Sequence, residues 1–206
     1  MTNHNNQKFW NKIAKLYAPL MEKDKLFYQE ICDNIRQYLT DEMDVLELAC
    51  GSGQLSFKLS QYTKSWLGTD FSPKMILAAR KRGSCKGLKF AVADATSLTF
   101  KNQQFDCVVI ANALHIMPNP EKAMLEISRV LKPNGILYAP TFLWQEGKPK
   151  KFIKTLMSLT GFKMYQEWDK AQFSNFIERY GFSVVEMQLV YGGVAAVGTM
   201  VAKKRS

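Results

Sequence analysis

The chain has 206 residues, 47% of them hydrophobic and 22% charged, with a formal net charge of +10. That length and apolar content describe one domain able to bury a core, and they exclude disorder, collagen and coiled coil. The longest apolar stretches, Val108–Met117 and Val194–Ala202, fall short of the ~20 residues a membrane-spanning helix needs. The polar start, MTNHNNQ, lacks the pattern of a secretory signal, so a cytoplasmic protein is expected. Cys32, Cys50, Cys85 and Cys107 show no C-x-x-C spacing, and with only His4 and His115 beside them no metal site is expected.

In chain order, Phe9, Trp10, Ile13, Ala14, Tyr17, Leu20 and Met21 recur at helical steps, with a break near Pro19. Leu26–Leu39 reads as a second helix, Val45–Ala49 as a buried strand, and Gly51–Gly53 as a loop opening a helix to about Tyr62. Ser65–Asp70 is the next strand. Ser72 and Pro73 then supply an N-cap and a first helical residue for a helix to about Arg82. Leu88–Ala93 and Phe105–Asn112 are strands, and Asn119-Pro120 repeats the cap signature before a helix ending near Leu131. Lys132–Gly135 is a turn into the strand Ile136–Phe142. A last helix, Ala171–Tyr180, precedes Val184–Tyr191 and Val194–Ala202, which Gly192-Gly193 joins into an antiparallel hairpin. Strands alternating with helices predict an α/β fold: a doubly wound, mostly parallel sheet with helices on both faces and a C-terminal antiparallel hairpin.

The charges are unevenly spread. Residues 45–100 carry 8 basic side chains and only three acids, Glu47, Asp70 and Asp94, each inside or at the end of an apolar run. Burying a carboxylate is costly unless something binds it, so three such acids on successive strands predict one shared ligand site. Strand, then Cys50-Gly51-Ser52-Gly53, then helix is the geometry of a ligand loop at a strand's carboxyl end. Asp70 at the end of the next strand suits the two hydroxyls of a ribose. Ser56 stands where a dinucleotide fingerprint wants its third glycine, which weakens a nicotinamide reading, and no Gly-Lys-Ser/Thr follows for a phosphate loop.

Glu47–Gly53, Gly68–Met75, Ala93-Asp94-Ala95 and Leu131–Gly135 resemble, in order and spacing, the motifs of class I S-adenosylmethionine-dependent methyltransferases. The resemblance runs from about Val45 to Phe142 and implies a Rossmann-like methyltransferase fold with a seven-stranded sheet whose C-terminal strand is reversed. It implies S-adenosylmethionine as cofactor, S-adenosylhomocysteine as product, and no metal. Glu47 would order the loop near the methionine amine. Ala49, Cys50, Gly51, Ser52 and Gly53 would form the loop around the methionyl part. Asp70 would take the ribose hydroxyls, with Phe71 and Met75 beside the adenosine. Asp94 would accept from the adenine amino group, with Ala95 beside it, and Asn112 would end the fourth strand at the cofactor. Ala49 replaces the first glycine of the strict pattern.

Asn112-Ala113-Leu114-His115 does not match the Asn-Pro-Pro-aromatic run of adenine and glutamine methyltransferases. No cysteine follows proline, as pyrimidine C5 methylation would want, and the carboxylates of a catechol-type metal site are missing. The remaining acceptor is small and partly apolar: a quinone, lipid headgroup or metabolite. His115 and Tyr17 are candidate catalytic residues, and Trp10, Tyr17, His115 and Phe152 candidate acceptor contacts. The predicted organisation is a single domain, residues 1–206, with a helical lid (1–44), a cofactor-binding core (45–142), a basic insertion (143–170), and the last helix and hairpin (171–206). Lys148, Lys150, Lys151, Lys154 and Lys163 flank an apolar stripe in the insertion, a pattern suited to an anionic membrane surface or an acidic substrate. An RNA or protein methyltransferase and a non-catalytic cofactor-binding protein are the rival readings. No aromatic-basic motif marks a specific nucleic-acid partner.

Overall fold

Continuous apolar runs become strands buried on both faces, as parallel sheets require. The computed structural model describes residues 7–14, 25–145, 163–192 and 195–206. The strands are β1 (Asp44–Leu48), β2 (Ser65–Asp70), β3 (Leu88–Val92), β4 (Phe105–Ile110), β5 (Leu131–Tyr138), β6 (Thr141–Leu143), β7 (Phe182–Gly192) and β8 (Ala195–Lys204). The order β3-β2-β1-β4-β5 is parallel throughout; β8 then pairs antiparallel with β5, β6 and β7. β5 and β6 are one strand line with a gap. Tyr138 faces Val201 and Thr141 faces Gly198, so the register runs unbroken across Ala139-Pro140, where proline has no N–H to donate. The expected Ile136–Phe142 strand is therefore split, and the expected seven strand lines are drawn from eight segments.

The helices are α1 (residues 7–14), α2 (Lys25–Arg36), α3 (Gln54–Leu59), α4 (Pro73–Lys81), α5 (Pro120–Val130) and α6 (Lys170–Glu178), with single 3₁₀ turns at Ser60–Tyr62 and Leu114–Ile116. Alternation along β4 sets the two layers. Val108 and Ile110 pack with Met124 and Ile127 of α5 and Phe173 and Phe176 of α6. Cys107 and Val109 face the other way, with Ile31 and Ile35 of α2 and Leu55 and Leu59 of α3. Among the described residues, no helix is long and apolar enough to cross a membrane.

Other local details also depart from the sequence reading, and the helix expected to run to Tyr62 is α3 ending at Leu59 with a 3₁₀ turn beyond it. The helix expected to reach Leu39 ends at Arg36, where the Tyr38 and Leu39 amides turn back onto Ile35 and Arg36 carbonyls. Lys132–Asn134 is a bulge inside β5 rather than a turn before it: Phe105 pairs with Leu131 and Cys107 with Ile136. Asn119 precedes α5 but its side chain makes no capping bond. α6 instead starts with a capping box, Asp169 accepting from Gln172 N–H and Gln172 returning the bond. Tyr17, Phe152 and the lysines from Lys148 to Lys154 lie outside the described residues.

Candidate active site

The site forms where β1, β2, β3 and β4 end, the position at which open parallel sheets bind ligands. Three residues of the β1–α3 loop take left-handed backbone angles: Ala49 at φ 53°, Gly51 at 55° and Gly53 at 81°. Glycine accepts this freely; alanine does so at a cost of ~1–2 kcal/mol. Gly53 has a further constraint, because a Cβ there would lie 2.9 Å from Phe90 Cζ and 3.1 Å from Phe57 Cε2.

Two buried carboxylates hold this loop. Asp70 Oδ2 accepts from Gly51 N–H at 2.9 Å, and Oδ1 accepts from Ser72 N–H at 2.8 Å. Burial raises its pKa to about 6, although both backbone bonds pull the other way. Glu47 lies beneath the loop, with Oε2 accepting from Trp66 Nε1 at 2.8 Å and also from the Ser56 hydroxyl. Desolvation lifts it to about 7. Ser56, the residue that weakened the dinucleotide pattern, is thus the buried hydroxyl that ties α3 to Glu47. Burial also pushes the Cys50 thiol well up, which keeps it a neutral packing group.

The other wall comes from the ends of β3 and β4. Asp94 Oδ1 accepts from Thr96 N–H at 2.9 Å and Thr96 Oγ1 at 2.8 Å, closing an Asx turn. Asn112 is left-handed at φ 52°, its N–H donates to Pro140 O at 2.7 Å, and its Oδ1 is buried with no hydrogen-bond partner. Between these walls is a cavity of about 270 Å³. Ala49, Gly51, Asp70, Phe71, Met75, Asp94, Ala95 and Asn112 line it, and so does Trp10 of α1.

Glu47, Cys50, Ser52 and Gly53 stand behind the wall and shape the loop. Ser52 is fully buried; its Oγ accepts from Gln54 Nε2 at 2.8 Å and its carbonyl accepts from Arg82 Nη1 at 3.1 Å. His115 is displaced from its expected place facing an acceptor. The 3₁₀ turn after β4 carries it inward, 2% exposed and outside the cavity wall, with Nδ1 3.0 Å from Thr141 Oγ1 and its ring edge-on to Phe142. Burial depresses its pKa to about 3, so the imidazole is neutral throughout the physiological range. Thr96, Ile116, Met117 and Lys122 line the cavity and were not singled out from the sequence. Their signal was only that they follow the ends of β3 and β4.

The donor and acceptor set fits an adenosine-bearing amino-acid ligand. Asp70 retains a lone pair on each oxygen, Asn112 Oδ1 is buried without a partner, and Gly51 lines the cavity without a side chain.

The profile of a methyltransferase-domain family matches residues 46–139. A demethylmenaquinone methyltransferase of Leptospira interrogans is 35% identical over 139 residues, covering 62% of this chain and 56% of the relative. The chain thus spans just over half of that relative's length. A demethylmenaquinone methyltransferase of Staphylococcus saprophyticus is 28% identical over 191 residues, covering 79% and 82%. Among solved structures, a Haloferax volcanii methyltransferase in complex with the activator Trm112 superimposes with a TM-score of 0.81 at 19% identity, covering 96% of this chain and 98% of that one. Glycine loop, paired strand-end acids, sheet order and family match agree: residues 46–139 carry a methyltransferase domain of the Rossmann-like, class I fold.

Proposed function

We propose that the protein methylates a small, partly apolar acceptor of the quinol or lipid-headgroup class, using S-adenosylmethionine. The observation that carries this reading is the cavity itself, in which Asp70, Asp94 and the buried, unpartnered Asn112 Oδ1 share a wall with Met75, Ile116 and Met117. Relatives named for demethylmenaquinone favour a quinol over a metabolite.

S-adenosylmethionine supplies, when bound, a sulfonium methyl group open to in-line displacement. Asp70 takes the ribose hydroxyls, Asp94 the adenine amino group, and Phe71 and Met75 flank the adenosine. Ala49 and Gly51 line the methionyl part, while Glu47, Cys50, Ser52 and Gly53 keep the loop in shape. Asn112 Oδ1 accepts from a donor entering the cavity. His115 has no route to an acceptor proton, being buried outside the cavity wall; it shapes the strand end through Thr141. Rate acceleration therefore comes from holding the two reactants in line rather than from His115. Trp10, and from the sequence Tyr17 and Phe152, belong to the acceptor side, and the lysines from Lys148 to Lys163 to an anionic surface or acidic substrate. A single catalytic domain working in the cytoplasm completes the reading.

Calorimetry with S-adenosylhomocysteine, S-adenosylmethionine and NAD tests it, followed by methyl-label transfer to a short-chain 1,4-naphthoquinol. Both sulfur ligands should bind and NAD should not. Asp70→Ala should lose ~1.5–3 kcal/mol of S-adenosylhomocysteine affinity, the usual loss for hydrogen bonds to a charged group. NAD heat without S-adenosylhomocysteine heat overturns the assignment.

A further inference from the structure

Helix α1 touches the site through two polar side chains as well as Trp10. Gln7 Nε2 donates to Phe71 O at 2.6 Å. Asn11 Oδ1 accepts from Ser72 Oγ at 2.7 Å and from Lys74 N–H at 3.4 Å. Because a backbone N–H can only donate, the amide of Asn11 must present its oxygen here. Ser72 is fully buried and engaged on three sides. Its N–H donates to Asp70 Oδ1 at 2.8 Å, its Oγ accepts from Met75 N–H at 3.2 Å, and its one hydroxyl hydrogen goes to Asn11.

These bonds account for the whole first turn of α4. Pro73 has no N–H, Lys74 donates to Asn11, Met75 to Ser72 Oγ, and Ile76 to Ser72 O at 3.2 Å. An N-terminal helix thus completes the cap of α4 from more than 60 positions away, through the same serine that holds Asp70. Trp10, next to Asn11 in sequence, lines the cavity on which Asp70 opens.

We infer that Asn11 is a positioning residue: through Ser72 it couples the seating of α1 over the cavity to the orientation of the Asp70 carboxylate. The inference rests on the proposed function, in which Asp70 holds the cofactor ribose. A ligand on Asp70 orders the turn that Asn11 grips, and a seated α1 presents Asp70 ready to bind, so each event strengthens the other by the same factor.

Asn11→Ala removes both accepted bonds. Asn11→Asp keeps them, since a carboxylate is an acceptor, and it adds negative charge at the positive end of α4. Calorimetry with S-adenosylhomocysteine and hydrogen exchange of the 7–14 segment, with and without that ligand, read the coupling. In the wild type the ligand should slow exchange in 7–14. Asn11→Ala should bind ~5–10-fold more weakly and lose that ligand-dependent protection, and Asn11→Asp should restore both. A residue that only packed would lower thermal stability without changing how 7–14 responds to ligand. Equal affinity and equal protection in wild type and Asn11→Ala overturn the coupling and leave the proposed function standing; so does an Asn11→Asp that behaves like the alanine variant. A wild-type protein that does not bind S-adenosylhomocysteine overturns both.

Discussion

Replacing Glu47 with glutamine should flatten part of the dependence of stability on pH. Glu47 is 2% exposed, and both of its hydrogen-bond donors, Ser56 Oγ and Trp66 Nε1, converge on one oxygen, Oε2. A glutamine can present its single carbonyl oxygen to both, so the variant mimics the protonated acid. In the folded state the pKa is raised from 4.5 to about 7, with burial the largest cause. The folded protein therefore holds a proton that the unfolded chain releases. Stability from this group is complete below pH 4.5 and is lost as pH rises through about 7. At about 1.4 kcal/mol per pH unit, the loss across that window is about 3 kcal/mol. Urea denaturation of wild type and Glu47→Gln at pH 5, 6, 7 and 8 measures it. Asp70 titrates in the same direction in both proteins, so the difference between them isolates Glu47. The variant should gain on the wild type by ~2–3 kcal/mol between pH 5 and 8. A difference that stays constant across this range would mean that Glu47 ionises as it does in water, and the burial argument would be refuted.

Gly53→Ala should cost ~2 kcal/mol or more, because the left-handed backbone and the approach to Phe90 both oppose a Cβ; a thermal melt gives the loss, and S-adenosylhomocysteine titration should show weaker binding. His115→Ala should destabilise by ~1–3 kcal/mol, since Thr141 Oγ1 is left buried without its partner. Its rate loss should be the same at every pH from 6 to 9, as the histidine stays neutral there; a loss that varies tenfold per pH unit would restore His115 as a base.

How much of this was legible in the sequence depended on whether the signal was local. β2 was read with its observed bounds because its apolar run stops at an acid, and the Ser72 cap of α4 was read from the serine-proline pair. Asp169 and Gln172 carry an equally local signature that was overlooked. The split of β5 from β6 was not readable, because Pro140 interrupts the ladder only once β8 is laid beside it. Glu47, Asp70 and Asp94 were read as sharing one ligand site; Asp70 and Asp94 line the cavity, whereas Glu47 sits behind the loop. The reason is the pleat: neighbouring positions point to opposite faces, and a residue before the strand end faces a helix rather than the mouth. The Ser56–Glu47 bond and the Asn11–Ser72 bond join segments that no periodicity connects. His115 was placed at the right strand end, but a single 3₁₀ turn decided which way it faced.

The strand line broken at Pro140 has a consequence for how the chain beyond β6 can change. After the gap, β6 resumes its register on β8, which fixes where the chain leaves the sheet after Leu143. It returns close by: Gln145 Nε2 donates to Glu167 O at 2.7 Å, and the Tyr165 and Gln166 N–H groups donate to His115 O at 2.9 and 3.0 Å. The ends of the 146–162 segment are thus pinned by bonds that do not depend on what lies between them. Closing a loop on fixed ends costs only ~0.6 kcal/mol more for each doubling of its length. Changes of length between these ends therefore place little entropic load on the sheet that holds them.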